Sequence, residues 1–311
     1  MSFRSAINFY RPFIILLIFL LSSCGKKAPP ALPSVEPLPG PTNMTAVHRE
    51  SEIILSWSYD EKAPIKGFVI ERAEDGDFKK TTFIETGRLY RERDFKDGRL
   101  YRYRVFAKGV RGVSGISSEL DISPLPPPSR PEGVSFVIGT ESLTIKWSPP
   151  AQGLFFNIFR SAEDFRPLNK EPISETAFTD SLSPDSTVRY LVRALLNTPA
   201  RDEGPPSDEI TVTPGDFIPS NPEGLQAVLT EGGVQLFWKE NPETWARGYT
   251  VYRAAEAGEF SLIGQTSTPA FLDREPRAGK SIYRVSAFGP AKEGPSSSAV
   301  EVEFDNLPLR E

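Results

Sequence analysis

His48 is the only histidine among 311 residues, which excludes a histidine-based catalytic triad, a paired-histidine metal site and a zinc cluster within one chain. On its strand it reads as a surface residue rather than a ligand. Ser114 lies in Gly112-Val113-Ser114-Gly115, which lacks the strand-to-helix Gly-x-Ser-x-Gly elbow and reads as a turn. Carboxylates are plentiful, yet no pair stands in a motif that assigns an acid and a base, and no glycine loop leads into a helix to cradle a phosphate. The sequence therefore assigns no catalytic residue, no metal ligand and no cofactor. Two features carry a binding reading beside a structural one. Trp245 falls in a loop, where an exposed indole could stack on a sugar or anchor a partner; the other reading is an indole folded over its own loop. Arg72, Arg160 and Arg253 end equivalent strands, which fits stems packed on a sheet edge with their charge at the rim; a repeated anion contact is the alternative. Loops 108–115, 197–206 and 288–295 are the other places where recognition could sit.

What must position these residues is a strand-rich chain. Its 30 prolines are about twice the usual ~5% share, aromatic and β-branched residues are abundant, and only 2 methionines occur, all of which favour strands and turns. The net charge of −5 provides no basic field for a phosphate backbone, so nucleic-acid binding is not expected. A single cysteine, Cys24, rules out an intramolecular disulfide.

The amino terminus reads as an address. Arg4 and Arg11 precede an apolar run over residues 12–21, short for a bilayer-spanning helix of ~20 residues and suited to a signal peptide. The run ends at Leu21-Ser22-Ser23-Cys24, which resembles the lipobox of bacterial lipoproteins. That resemblance implies cleavage after residue 23, acylation of Cys24 and attachment to a bacterial cell membrane. Gly25, in place of an aspartate, implies the outer membrane in a Gram-negative cell. Each buried methylene contributes roughly 0.8 kcal/mol, so several acyl chains hold what one would release. Lys26 and Lys27 would sit at the headgroups. Six prolines between Pro29 and Pro41 then predict an extended tether of ~3.1 Å per residue.

Beyond the tether the sequence repeats. Ile53, Leu55 and Trp57 alternate with polar neighbours, as do Leu143, Ile145 and Trp147, and Val234, Leu236 and Trp238. The tryptophans fall roughly 90 positions apart, close to the ~100 residues of one sandwich domain. Pro41, Pro131 and Pro222 each lead into a first strand. Gly67, Phe68, Ile70 and Arg72 recur as Gly248, Tyr249, Val251 and Arg253, with Phe156, Ile158 and Arg160 between them. Tyr103, Val105 and Ala107 recur at Tyr190, Val192 and Ala194, then at Tyr283, Val285 and Ala287. Ser117, Ser207 and Ser297 mark the closing strand.

A strand tryptophan, a Gly-Tyr-x-Val-x-Arg strand, a Tyr-x-Val-x-Ala strand and a Gly-Pro-x-Ser turn resemble the fibronectin type III family over residues 38–304. The resemblance implies an all-β protein of three tandem seven-stranded antiparallel sandwiches, each tryptophan facing the Tyr-x-Val-x-Ala strand across the core. Tyr101 matches the family's corner tyrosine, whereas Val188 and Ser281 occupy its place in the other copies. The expected organisation is a signal peptide at 1–23, a lipidated tether at 24–37, modules at 38–125, 126–215 and 216–305, and a tail at 306–311. Proline-rich joints predict a semi-rigid rod. The expected function is a noncatalytic, lipid-anchored protein-interaction module or spacer at the cell envelope, its partner an envelope or surface protein or a glycan. A carbohydrate- or peptidoglycan-binding accessory lipoprotein, with Trp245 as the contact, is the alternative. A part in a larger envelope assembly is a third reading.

Overall fold

The computed structural model describes residues 38–304, apart from 61–63, 111, 163 and 257. The signal peptide, Cys24, most of the tether and the tail lie outside the described residues. The first module runs β1 (Thr42–Arg49), β2 (Glu52–Ser58), β3 (Ile65–Glu74), β4 (Asp77–Ile84), β5 (Leu89–Glu92), β6 (Tyr101–Gly109) and β7 (Leu120–Ile122). Its sheet β1-β2-β5 faces the sheet β4-β3-β6-β7. The second module comprises β8 (Glu132–Ile138), β9 (Ser142–Ser148), β10 (Phe155–Phe159), β11 (Ala177–Ser181), β12 (Val188–Leu196), β13 (Asp202–Pro206) and β14 (Ile210–Val212). The third comprises β15 (Gln226–Thr230), β16 (Gly233–Phe237), β17 (Gly248–Ala255), β18 (Ser261–Thr266), β19 (Ala270–Asp273), β20 (Gly279–Phe288), β21 (Glu293–Ser296) and β22 (Val300–Phe304). Both repeat the two-sheet plan, so the chain is all-β, with the fibronectin type III-like arrangement that the repeated strands imply.

Period-two patterning explains the cores. Ile53, Leu55 and Trp57 point inward from β2 and meet Tyr103, Val105 and Ala107 of β6; all six are buried. Each repeat tryptophan meets an aromatic of the next strand edge-on: Trp57 with Phe68, Trp147 with Phe156 and Trp238 with Tyr249, at 5.1–5.4 Å between centroids. The corner tyrosine is in place, since the Lys96 backbone N–H donates to the Tyr101 hydroxyl at 2.9 Å.

The repeated arginines do a structural job. Arg253 reaches across to Asp273 at 2.6 Å, and the Tyr283 hydroxyl donates to the same carboxylate at 2.9 Å. Arg160 and Tyr190 share Asp180 at 3.0 and 2.8 Å, and Arg72 lies 3.1 Å from Glu92. Each arginine thus joins its strand to the partner sheet. Burial first, and then the neighbouring carboxylate, pushes the Tyr283 hydroxyl up to about 12 and raises that of Tyr190 as well.

The closing strand is broken in every module at a serine. Ser117, Ser207 and Ser297 accept at Oγ from the N–H of Val105, Val192 and Val285 at 2.9–3.1 Å, and donate to the carbonyl of the following residue. The hydroxyl fills the gap where the strand steps aside. Ser207→Ala is expected to cost about 1–3 kcal/mol, because the Val192 N–H would lose its acceptor inside the sandwich. Amide hydrogen exchange at Val192 checks this: protection should fall in the variant, and unchanged protection would refute the role.

The second module departs from the repeat at one strand. Among the described residues between Phe159 and Ala177 nothing corresponds to β4 or β18; Pro167, which has no N–H, stands in this stretch. The free edge of β10 is instead closed by a loop. Asn169 accepts from the Ile158 N–H at 3.0 Å and donates to the Phe156 carbonyl at 3.1 Å, while Ile173 bridges Phe156 through both backbone groups. One amide side chain replaces part of a neighbouring strand.

Candidate binding site at the joint between the first two modules

Modules one and two are locked by polar groups taken out of water. The turn after β1 enters the second module, and a single parallel bridge from Arg49 to Glu203 makes the two sheets continuous. His48 is 1% exposed; its Nδ1 lies 2.8 Å from Asp202 and its Nε2 3.2 Å from the Glu50 carbonyl. The surface position expected for this histidine is therefore wrong: the strand ends inside the joint, where the Phe95 ring packs on the imidazole edge-on at 5.1 Å. Asp202 also accepts from the Leu125 N–H and the Thr198 hydroxyl, at 2.8 and 2.6 Å, so one carboxylate ties together module one, the linker and a module-two loop.

Beside it, Arg49 grips Glu203 through Nε and a terminal nitrogen at 2.9 and 2.7 Å, and donates to the Asp164 carbonyl at 2.7 Å. The other Glu203 oxygen accepts from Asn157 at 2.7 Å. The rings of Phe159 and Phe165 each lie 5.1 Å from the Arg49 guanidinium. Arg193, 3% exposed, donates to the Gly204 carbonyl at 2.9 Å and, among the described residues, meets only one carboxylate, that of the exposed Glu50, at 3.4 Å. Glu50 holds a left-handed φ of 56°, a strained choice for a residue other than glycine at the tip of this turn.

Burial would raise the Asp202 carboxyl, but the hydrogen bonds from His48, Thr198 and the Leu125 amide outweigh it and hold the group below its ordinary range. A depressed folded value means that its stabilisation is complete above the unfolded value, about 3.9, and is lost as pH falls through the folded value. The joint is therefore expected to weaken below about pH 4. Chemical denaturation of wild type and Asp202→Asn across pH 2–7 checks this. The wild-type curve should fall towards the variant's at low pH, and parallel curves would refute the role.

Alongside this joint runs a groove of about 560 Å³, walled by Arg49, Arg91, Arg193 and Phe165, with Glu50 and Glu52 at its rim. Its outer wall is the loop that replaces a strand in module two. Among the described residues, no three His, Cys, Asp or Glu side chains converge as a metal site.

The residues singled out from sequence fall elsewhere. Cys24 lies outside the described residues. Ser114 is a turn residue, its hydroxyl accepting from the Ala107 N–H at 2.9 Å. Trp245 corrects an expectation: its indole is 8% exposed, packs edge-on against Phe217 in the core of module two, and donates to the Gly139 carbonyl at 3.0 Å. Thr244 binds Thr140, and Arg247 pairs with Asp185, completing the second joint. The indole is folded away, but onto the neighbouring module rather than its own loop, so it offers no open face to a sugar. The residues missed were Asn157, Arg193, Asp202 and Glu203. A signal existed: Arg193 stands where the repeat has Phe106 and Ser286, and Asn157 where it has Val69 and Thr250.

No protein-family model matches the chain. Among solved structures it is similar to the chicken CNTN1 FN1-FN3 domains, known from a crystal structure, at 17% identity over 87% of this chain and 100% of that chain, with a TM-score of 0.29.

Proposed function

We propose that this chain is a noncatalytic bacterial lipoprotein, held to a membrane through Cys24, whose three modules act as one interlocked spacer and presenter of envelope contacts. The observation that carries the reading is the construction of the two joints. Both are made of buried, directional side-chain contacts, including Arg49 with Glu203 and Trp245 with Gly139, where a flexible string of modules would need only linkers. A body that fixes its modules in this way suits holding a partner at a set distance and orientation. The glycan-binding alternative loses the indole that motivated it.

The test is cell fractionation of wild type and Cys24→Ser, together with photo-crosslinking from the exposed positions Val110 and Leu262. Wild type should sediment with membranes and capture a fixed envelope partner, while Cys24→Ser should be soluble and lose that capture. Membrane retention of the serine variant, or specific turnover of a substrate by the purified protein, would overturn the proposal.

A further inference from the structure

We propose that the groove between modules one and two is a binding site for a ligand bearing a small oxyanion, a carboxylate or a phosphate, which docks on Arg193 in place of Glu50. The inference does not depend on the spacer reading; it follows from how charge is shared around the joint. Among the described residues, five ionisable side chains wall or rim the groove: Arg49, Arg91 and Arg193, with Glu50 and Glu52. Glu52 is taken by Arg91 at 2.8 Å and Arg93 at 2.6 Å. Glu203, buried in the joint, is taken by Arg49 and Asn157. Among the described residues, Arg193 is left as the deeply buried cation whose nearest carboxylate is that of the exposed Glu50, at 3.4 Å.

Its bonds reflect that. The contacts to Glu50 and to the Ala162 carbonyl are both 3.4 Å, at the limit of a hydrogen bond, and Nε has no acceptor. A guanidinium paired with an anion ordinarily makes bonds of about 2.7–2.9 Å, often two in parallel. Burial first and the Arg49 charge second lower the affinity of Arg193 for its proton, and the Glu203 and Glu50 charges only partly compensate. A buried cation under these conditions gains most from an oxyanion brought close.

The surroundings fit such a ligand. The volume lies within the ~300–1,000 Å³ typical of small-molecule sites, and the groove sits between two modules, where such sites concentrate. Phe165 supplies an apolar face for the body of the ligand, and its ring is already flanked by the guanidiniums of Arg49 and Arg91 at 5.1 and 4.9 Å. Glu50, exposed and at the turn tip, occupies the place of the incoming anion and can swing aside into solvent. The groove also adjoins a region where module two abandons the repeat, since Phe165 belongs to the loop that stands in place of a strand.

The experiment is a titration of the full chain in detergent, with ¹⁵N-labelled arginine, following the side-chain Nε–H signals. Sodium phosphate is added in one arm and sodium acetate in the other, each against sodium chloride at equal ionic strength. A saturable shift of the Arg193 signal is expected. Response to phosphate alone assigns a phosphoryl ligand, response to acetate alone assigns a carboxylate, and response to both supports the shared oxyanion site. Glu50→Gln removes the internal competitor and should tighten binding about tenfold, equivalent to about 1.4 kcal/mol. Arg193→Lys should abolish the saturable response; because Glu50 is exposed, the glutamine variant keeps the test decisive even if the lysine variant fails to fold. No saturable shift, equal binding in Arg193→Lys, or unchanged affinity in Glu50→Gln would each overturn the proposal.

Discussion

Trp245→Ala is expected to destabilise the pair formed by modules two and three by about 3–5 kcal/mol, the range for emptying a buried aromatic site. The indole belongs to module three, yet its partners, Phe217 and the Gly139 carbonyl, lie in module two and the linker. Its removal leaves a hole at a boundary and an acceptor without its donor. Gly289 limits any repair, because a side chain there would strike the Phe217 carbonyl at 2.3 Å while standing 3.3 Å from the indole. In calorimetry, wild-type modules two and three should unfold together and the variant should show a separate transition for module three. One unsplit transition, displaced by less than about 1 kcal/mol, would mean that the indole only fills space.

Glu203→Leu should cost about 3–5 kcal/mol at the first joint, because Arg49 would keep its buried charge and lose its anion. The double variant Arg49→Met, Glu203→Leu should recover most of that loss, since neither ion then needs to leave water. Recovery will be incomplete: Arg49 also holds the Asp164 carbonyl, and Glu203 also holds Asn157. Urea unfolding of the two single variants and the double variant forms the cycle. Additive losses would mean that the pair is not coupled, contrary to its geometry.

The sandwiches were legible because their cause is local. Alternation in Ile53-Ile54-Leu55-Ser56-Trp57 sets one face of a strand inward whatever surrounds it, and three copies in register multiply the signal. The joints were not legible, because they join residues 154 and 106 positions apart through side chains with no period. Trp245 stood out by breaking the repeat, but an indole that breaks a pattern looks the same whether it faces solvent or a neighbour. His48 misled for a related reason. It continues an ordinary strand, and only the docked second module takes it out of water. The closing serines were visible as landmarks, although their hydroxyl bonds were not, because the break in the last strand has no sequence period of its own.

The spacing of the joint residues also bears on the order of assembly. Chains emerge at about 5–20 residues per second, so a gap of 154 residues leaves His48 and Arg49 waiting roughly 8–30 s for Asp202 and Glu203. During that interval the waiting surface is ionic and stays hydrated, which discourages adhesion to other unfinished chains. At the second joint the portion made first is a backbone turn at Gly139 and Thr140, and the apolar partner, Trp245, arrives last. At the second joint only Phe217, 28 residues ahead of the indole, is an apolar group that must wait.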